Sequence, residues 1–193
     1  MLFRSEDGQA ELAAAVSGAS GKLDVLINNA GTAWGAPIEE YPLSAFDKLY
    51  DVNTKSIFAL TQKLLEPLRA ASEPGAPSRV INIGSIDGIR VPVFDNFAYS
   101  ASKAAVHMLT QHMAKTLAPA ITVNAIAPGP FMSKMTESAF GSGGSHDDLA
   151  DRVPMRRLGA PDDVAGLAMF LASPAAAWMT GGVITLDGGL TLV

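Results

Sequence analysis

The chain has 193 residues, of which 48% are hydrophobic and 17% are charged, a balance typical of a folded globular protein rather than a disordered one. The net charge is −5 and no basic stripe is evident, so nucleic acid is not expected as a partner. The absence of cysteine excludes disulfides, thiolate metal sites and a cysteine nucleophile, and it agrees with an expected cytoplasmic location.

Membrane association is not expected either. Residues 1–7 lack the apolar core of a signal peptide. The longest apolar stretch, residues 164–179, is interrupted by Pro174 and contains no run long enough to span a bilayer. The sequence therefore predicts a soluble protein.

Helix-like segments recur along the chain. The alanine-rich residues 8–17 favour a helix, and Ser44 is predicted to cap a second helix that runs, with a possible break, to about Ala70. In that second helix, Asp47 would be the capping partner of Ser44. Two further helices are expected, at residues 98–117 and from Pro161 to about Ser173, the latter with Asp162 and Asp163 in its first turn.

Short apolar runs between these helices predict buried strands at residues 23–28, 79–84, 121–126 and 183–186. Their alternation with helices indicates an α/β fold, a doubly wound parallel sheet in one domain spanning residues 1–193. In such sheets, ligands bind at the carboxyl ends of the strands. This places residues 28–31, 84–87 and 127–129 along one crevice. Residues 17–22 look like a phosphate loop, but they precede a strand and predict a helix C-terminal turn.

The strongest chemical signal is Tyr99-Ser-Ala-Ser-Lys103. On a helix, Tyr99 and Lys103 lie one turn apart and face the same way. A phenol titrates near pH 10, and a nearby ammonium is expected to lower that pKa. The pair could then exchange a proton with a carbonyl or alcohol oxygen.

Further motifs occur in a fixed order around this pair. They are the run Asn28-Asn-Ala-Gly31 after the first strand, Asn53 in the following helix, Ser85 after the second strand, Pro128-Gly129 after the third, and GGVITLDGG at residues 181–189. With Tyr99 and Lys103, they resemble the short-chain dehydrogenase/reductase family over essentially the whole chain. Residues 80–85 and the segment PGPFMSKMT are similar to the rhamnolipid-type β-ketoacyl reductases and to sugar-acid dehydrogenases of that family.

The resemblance implies an NAD(P)-dependent oxidoreductase that interconverts a carbonyl and a secondary alcohol. Tyr99 would be the acid or base, and Ser85 would stabilise charge on the substrate oxygen. Lys103 would lower the Tyr99 pKa and hold the nicotinamide ribose. Asn53 would position a water that relays protons to Lys103.

The cofactor implied by the resemblance is NAD(P)H, with NADP expected rather than NAD. Tyr99 and Lys103 would contact it together with residues of two loops: Asn29, Ala30 and Gly31 at the adenosine end, and Pro128, Gly129, Phe131 and Ser133 over the nicotinamide. A small carbonyl or alcohol compound would be the substrate. A homodimer or homotetramer is implied, and no metal is expected.

Members of the family begin with a strand, a Gly-rich TGxxxGxG turn, a helix and a second strand-helix-strand segment. Met1 falls where the helix before the NNAG strand should begin, so we expect the first strands and the Gly-rich turn, roughly 60 residues, to be missing. We interpret the chain as an incomplete gene model, a splice form or a fragment. The sheet would then have an uncovered apolar face.

Alternative interpretations exist for several residues. Asn53 could break or cap a helix, Ser85 could cap a strand end, and Asn28 and Asn82 are expected to tie strands and loops together. Four aromatic residues in predicted loops could line a substrate pocket or anchor those loops: Trp34, Phe94, Phe131 and Phe140. For the whole chain, the alternative is a non-catalytic interaction module or inactive fragment that dimerises through helices 44–70 and 98–117.

Overall fold

The structure is a computed structural model that describes residues 5–131 and 146–193. Within these residues, four parallel strands form one sheet in the order β1-β2-β3-β4. The strands are β1 (Val25–Asn28), β2 (Ser78–Ile83), β3 (Ile121–Pro128) and β4 (Val183–Leu186). The predicted strands are confirmed to within two residues, because each is a short apolar run bounded by polar residues or turns.

Helices connect the strands. They are α1 (Glu6–Ser20), α2 (Leu43–Tyr50), α3 (Ser56–Lys63), α4 (Leu65–Ala71), α5 (Phe97–Leu117), α6 (His146–Ala150) and α7 (Pro161–Ala172). A π-helical turn, Asp51–Lys55, joins α2 to α3. Short 3₁₀ turns lie at Ile38–Glu40, Ile86–Gly88, Pro174–Ala176 and Leu190–Leu192.

The ends of the helices test three local predictions. Gly21 ends α1 in the left-handed conformation with its N–H bonded to the Ser17 carbonyl, which confirms the predicted helix C-terminal turn. The predicted cap at Ser44 is wrong: α2 begins at Leu43 after an extended Pro42, and Ser44 lies inside the first turn. Pro161 begins α7 as predicted, and the Asp163 carboxylate accepts the Ala160 N–H at 2.8 Å.

Helices cover both faces of the sheet, so the doubly wound fold is confirmed. On one face, α1, α3, α4 and α5 pack around the buried side chains of Val80 and Val123. On the other face, α7 packs against Ile81 and Ile126 through Leu171. The alternation of Val80 and Ile81 between the two faces follows from the period of two in a strand.

The sheet is unevenly covered near β1. On the face of the sheet that α7 covers, this helix contacts β2 and β3, whereas Ile27 of β1 is 47% exposed. Across residues 5–131 and 146–193, every helix falls short of the length or hydropathy that a membrane span requires.

Candidate active site

Tyr99 and Lys103 lie near the start of α5 and share one face of that helix, as the sequence predicts. The Lys103 Nζ lies 5.6 Å from the centre of the Tyr99 ring. The same Nζ donates a hydrogen bond of 2.7 Å to the Ile83 carbonyl oxygen at the end of β2. Burial lowers the pKa of Lys103 from 10.5 to about 8, because the charged ammonium is removed from water.

Ser85 follows β2 and begins the 3₁₀ turn Ile86–Gly88. Its Oγ accepts the Asp87 N–H at 3.1 Å, as in a helix cap. It also takes part in a hydrogen bond with the Tyr99 phenol, which acts to lower the Tyr99 pKa. The structure therefore brings Ser85, Tyr99 and Lys103 together where β2 ends and α5 begins.

The expected direction of the Tyr99 pKa shift is wrong for this structure. Burial raises the pKa of Tyr99 above 10, the hydrogen bond with Ser85 opposes that effect, and the Asp87 charge adds to it. The causes that shift the Tyr99 pKa are its burial, Ser85 and Asp87, and the Lys103 ammonium is not among them. Tyr99 consequently keeps its phenolic proton at neutral pH.

Asn53 lies in the π-helical turn and is completely buried. Its Oδ1 accepts the Thr32 N–H and its Nδ2 donates to the Thr32 carbonyl, both at 2.9 Å. The Nδ2 also donates to Ser102 Oγ at 3.0 Å. Both polar atoms of the Asn53 side chain thus fix the loop after β1 against α5.

That loop contains the NNAG residues Asn29, Ala30 and Gly31. Asn29 and Gly31 are exposed beside the carboxyl end of β1. A methyl group placed on Gly31 would lie 3.7 Å from Lys103 Nζ and 3.7 Å from Asn53 Oδ1. Glycine therefore keeps open the space directly beside the lysine ammonium.

The loop after β3 contains Pro128, Gly129 and Phe131. A side chain on Gly129 would lie 2.7 Å from the Asp187 Cβ, so glycine allows β3 and β4 to end side by side. The Phe131 ring lies against Gly159, and its backbone bridges to that residue. Ser133, the last predicted cofactor contact, lies outside the described residues.

Asn28 and Asn82 have the structural role that the sequence predicts. The Asn28 Nδ2 donates to Asn82 Oδ1 at 2.9 Å, and the Asn82 Nδ2 donates to Thr110 Oγ1 at 2.9 Å. These bonds connect β1 and β2 to α5 beneath the site. The two asparagines are also register partners in the sheet.

Sequence reasoning missed two residues that support the site. The hydroxyl of Tyr41 accepts the Ala98 N–H at 3.1 Å and donates to the Trp34 carbonyl at 3.2 Å, which links the first loop to the start of α5. His107 lies beneath the Ser85 turn and is 7% exposed. Its spacing of four residues from Lys103 was the available signal, since both then lie on the face of α5 that carries Tyr99.

A phenol, a neighbouring hydroxyl and a buried lysine thus meet at the carboxyl edge of an α/β sheet. Residues 3–191 match the family model described as enoyl-(acyl carrier protein) reductase, a model of short-chain dehydrogenases/reductases, and the chain belongs to that family. The family and the enzyme class expected from the motifs are thereby confirmed.

Individual members of the family are similar to the chain over nearly all of its length. The chain is 44% identical over 189 residues to the rhamnolipids biosynthesis 3-oxoacyl-[acyl-carrier-protein] reductase of Pseudomonas aeruginosa, covering 97% of this chain and 74% of the relative. It is similar to the solved Pseudomonas aeruginosa RhlG/NADP active-site complex, with a TM-score of 0.92 at 44% identity and the same coverage of each chain, 97% and 74%.

A third similarity is to actinorhodin polyketide ketoreductase with NADPH, with a TM-score of 0.89 at 31% identity. It covers 97% of this chain and 75% of that one. The chain spans only 66% of the length of several other curated relatives.

Proposed function

We propose that this chain takes part in the NADPH-dependent reduction of a carbonyl to a secondary alcohol, with 3-oxoacyl thioesters as the substrate class to test first. The meeting of Ser85, Tyr99 and Lys103 at the carboxyl edge of the sheet carries the proposal. The choice of substrate rests on the 3-oxoacyl reductase to which the chain is 44% identical.

The residues beside Lys103 fit a nicotinamide ribose. Among the described residues, the Lys103 ammonium donates one hydrogen bond, to the Ile83 carbonyl oxygen. Because an ammonium has three N–H groups, two of them are left for a ligand. Gly31 keeps the adjoining space free of side-chain atoms. Lys103 would therefore hold the ribose hydroxyls, and residues 29–31 and 128–131 would flank the rest of the cofactor. NADP is favoured over NAD because similar solved structures hold NADP or NADPH.

When bound, the reduced nicotinamide supplies a hydride to the substrate carbonyl carbon. Ser85 Oγ donates a hydrogen bond to the carbonyl oxygen and stabilises the charge that develops there. Tyr99 gives its phenolic proton to the same oxygen, which completes the alcohol and leaves a phenolate. Lys103 favours that phenolate while protonated and returns a proton to Tyr99, and Lys103 is recharged from water.

Asn53 has a supporting role in this proposal. Its side-chain bonds hold the Thr32 backbone and Ser102, and they thereby fix the loop that carries Gly31. The proton relay through a water at Asn53 stays a prediction.

The first test is titration of the purified 193-residue chain with NADPH and with NADH, followed by fluorescence. We expect saturable binding, tighter for NADPH. A 3-oxoacyl thioester is then added, and the loss of NADPH absorbance is followed for the parent chain and for Tyr99→Phe. We expect turnover by the parent chain and none by Tyr99→Phe, with unchanged NADPH binding, because only the proton donor is removed.

Tyr50→Phe is the matched control, since Tyr50 lies 38% exposed on α2, outside the site. It should leave turnover unchanged. Turnover by Tyr99→Phe equal to that of the parent would refute the role of Tyr99. A folded chain that binds neither cofactor would instead support the alternative of an inactive fragment or interaction module.

A further inference from the structure

His107 is a buried, titratable residue that the proposed mechanism does not use. It lies four residues after Lys103, so Tyr99, Lys103 and His107 occupy successive turns along one face of α5. The residue is 7% exposed and packs beneath the turn that carries Ser85. Among residues 5–131 and 146–193, its polar contacts are to the backbone of that turn.

The His107 ring lies against the backbone of residues 84–88. The Ser85 N–H donates to His107 Nε2 at 3.5 Å. Because Nε2 accepts, the proton of the neutral ring belongs on Nδ1. A hydrogen bond with the Gly88 backbone raises the His107 pKa, as expected when the ring donates to a carbonyl. The imidazole therefore spans the Ser85 turn from its first residue to its last.

Two glycines make room for the ring. A methyl group on Gly84 would overlap His107 Nε2, and one on Gly88 would lie 2.9 Å from His107 Cε1. The position immediately before the Ser85 turn and the last position of the turn thus carry the one residue type that tolerates a close imidazole. This steric fit restricts the turn as much as the two hydrogen bonds do.

The surroundings keep His107 neutral. Burial lowers its pKa from 6.5, the positive charge of Lys103 lowers it further, and the Gly88 bond opposes both. Lys103 is the charged group of α5 that acts on His107, whereas Lys115 lies in the last turn of that helix. The packed turn itself carries the charged residue Asp87, whose carboxylate accepts a hydrogen bond of 2.8 Å from Asn96. The neutral ring can accept the Ser85 N–H at Nε2. A protonated ring would carry an N–H at Nε2 as well, so two donors would face each other and this hydrogen bond would be lost.

We propose that His107 is a positioning residue: its neutral imidazole sets the Ser85 turn against α5 and so fixes the distance from Ser85 Oγ to the Tyr99 phenol. The inference rests on the proposed carbonyl reduction, since Ser85 and Tyr99 must act on the same oxygen. A displacement of that turn by a fraction of an ångström would weaken catalysis without removing a group that contacts substrate or cofactor.

The test compares His107→Leu and His107→Gln with the parent chain. Glutamine keeps one acceptor and one donor, whereas leucine has neither. For His107→Leu we expect kcat to fall about tenfold to 100-fold, with unchanged NADPH binding by fluorescence. For His107→Gln we expect most of the lost kcat to return. His112→Leu is the matched control, because His112 is exposed on the same helix, and it should behave as the parent does.

The pH profile of kcat gives a measurement that does not depend on the folding of a variant. In the parent chain, kcat should fall on the acid side below pH 6.5, as His107 gains a proton. That acid limb should be absent from His107→Gln. A parent profile without the limb, or a His107→Leu variant with full kcat, would overturn the proposal. A parent chain without any turnover would overturn the proposed function first, and the positioning role with it.

Discussion

The ammonium of Lys103 is bonded to the Ile83 carbonyl oxygen at 2.7 Å, and the residue is only 5% exposed. A lysine in such a place loses most of its hydration, and one backbone carbonyl does not replace it. The pKa of about 8, against 10.5 in water, records that loss. The residue that is proposed to hold the cofactor therefore stands in an energetically unfavourable position in the folded chain.

Replacing Lys103 should accordingly stabilise the chain. Between pH 8 and pH 10.5, the folded state binds fewer protons than the unfolded state, so the burial cost is complete below pH 8 and disappears as the pH approaches 10.5. We expect Lys103→Met to raise the free energy of unfolding at neutral pH by up to roughly 3 kcal/mol. The difference should shrink as the pH rises above 8.

Urea unfolding across this pH range checks the prediction. Lys115→Met is the control, since Lys115 is exposed in the last turn of α5 and should give no such gain. A Lys103→Met variant that is less stable than the parent at neutral pH would show that the bond to Ile83 outweighs the cost of burial.

Asp87 should influence the acid–base behaviour of Tyr99. Its negative charge is one of the causes that raise the Tyr99 pKa. Asp87→Asn removes that charge, so the Tyr99 pKa should fall and the alkaline limb of carbonyl reduction should move to lower pH. Alcohol oxidation, which needs the phenolate, should become faster near neutral pH. The measurement is the pH profile of kcat/KM in both directions, and an unmoved alkaline limb would contradict the prediction.

Gly88 should not tolerate a side chain. A methyl group there would lie 2.6 Å from the Ala104 N and 2.6 Å from the Lys103 carbonyl carbon, both in the backbone of α5. We expect Gly88→Ala to lower the free energy of unfolding by about 1–3 kcal/mol. Gly166→Ala is the opposite control: it lies in α7 with nothing within 4 Å of an added methyl group, so it should stabilise by up to about 1 kcal/mol. Thermal unfolding of the two variants should therefore shift in opposite directions.

The expected homodimer or homotetramer stays a prediction, and the exposed apolar side chains of the long helices allow a test. Met108 on α5 is 65% exposed and Phe58 on α3 is 47% exposed. If the chain pairs through these helices, Met108→Glu should shift it to a smaller species in sedimentation velocity. Met169→Glu is the control, because Met169 is 68% exposed but lies on α7. Equal effects of the two changes would argue against pairing through α5.

Local patterns were sufficient for much of this molecule. The strand over residues 183–186 and the start of α7 at Pro161 follow from short apolar runs and from the preference of proline for a first turn. The pairing of Tyr99 with Lys103 follows from helix periodicity alone. The cap at Ser44 failed because a helix can begin without a side-chain cap, here after Pro42.

What the sequence could not show depends on contacts between distant segments. The raised pKa of Tyr99 results from burial, which exceeds the effect of any neighbour that the motif reveals. The role of His107 depends on the Ser85 turn, which lies 22 residues earlier in the chain. Nor does any local pattern indicate that Asn53 uses both of its polar atoms within the fold.

The order of the strands in the sheet bears on how the chain is made. Within residues 5–131 and 146–193, each strand after β1 pairs with the strand that immediately precedes it in the chain. During synthesis on a ribosome, every new strand would thus find its partner already synthesised, together with the helix that connects them. Because its partner strand already exists, each new strand can pair soon after it is synthesised. The apolar edge of that strand is then exposed to aggregation for a shorter time.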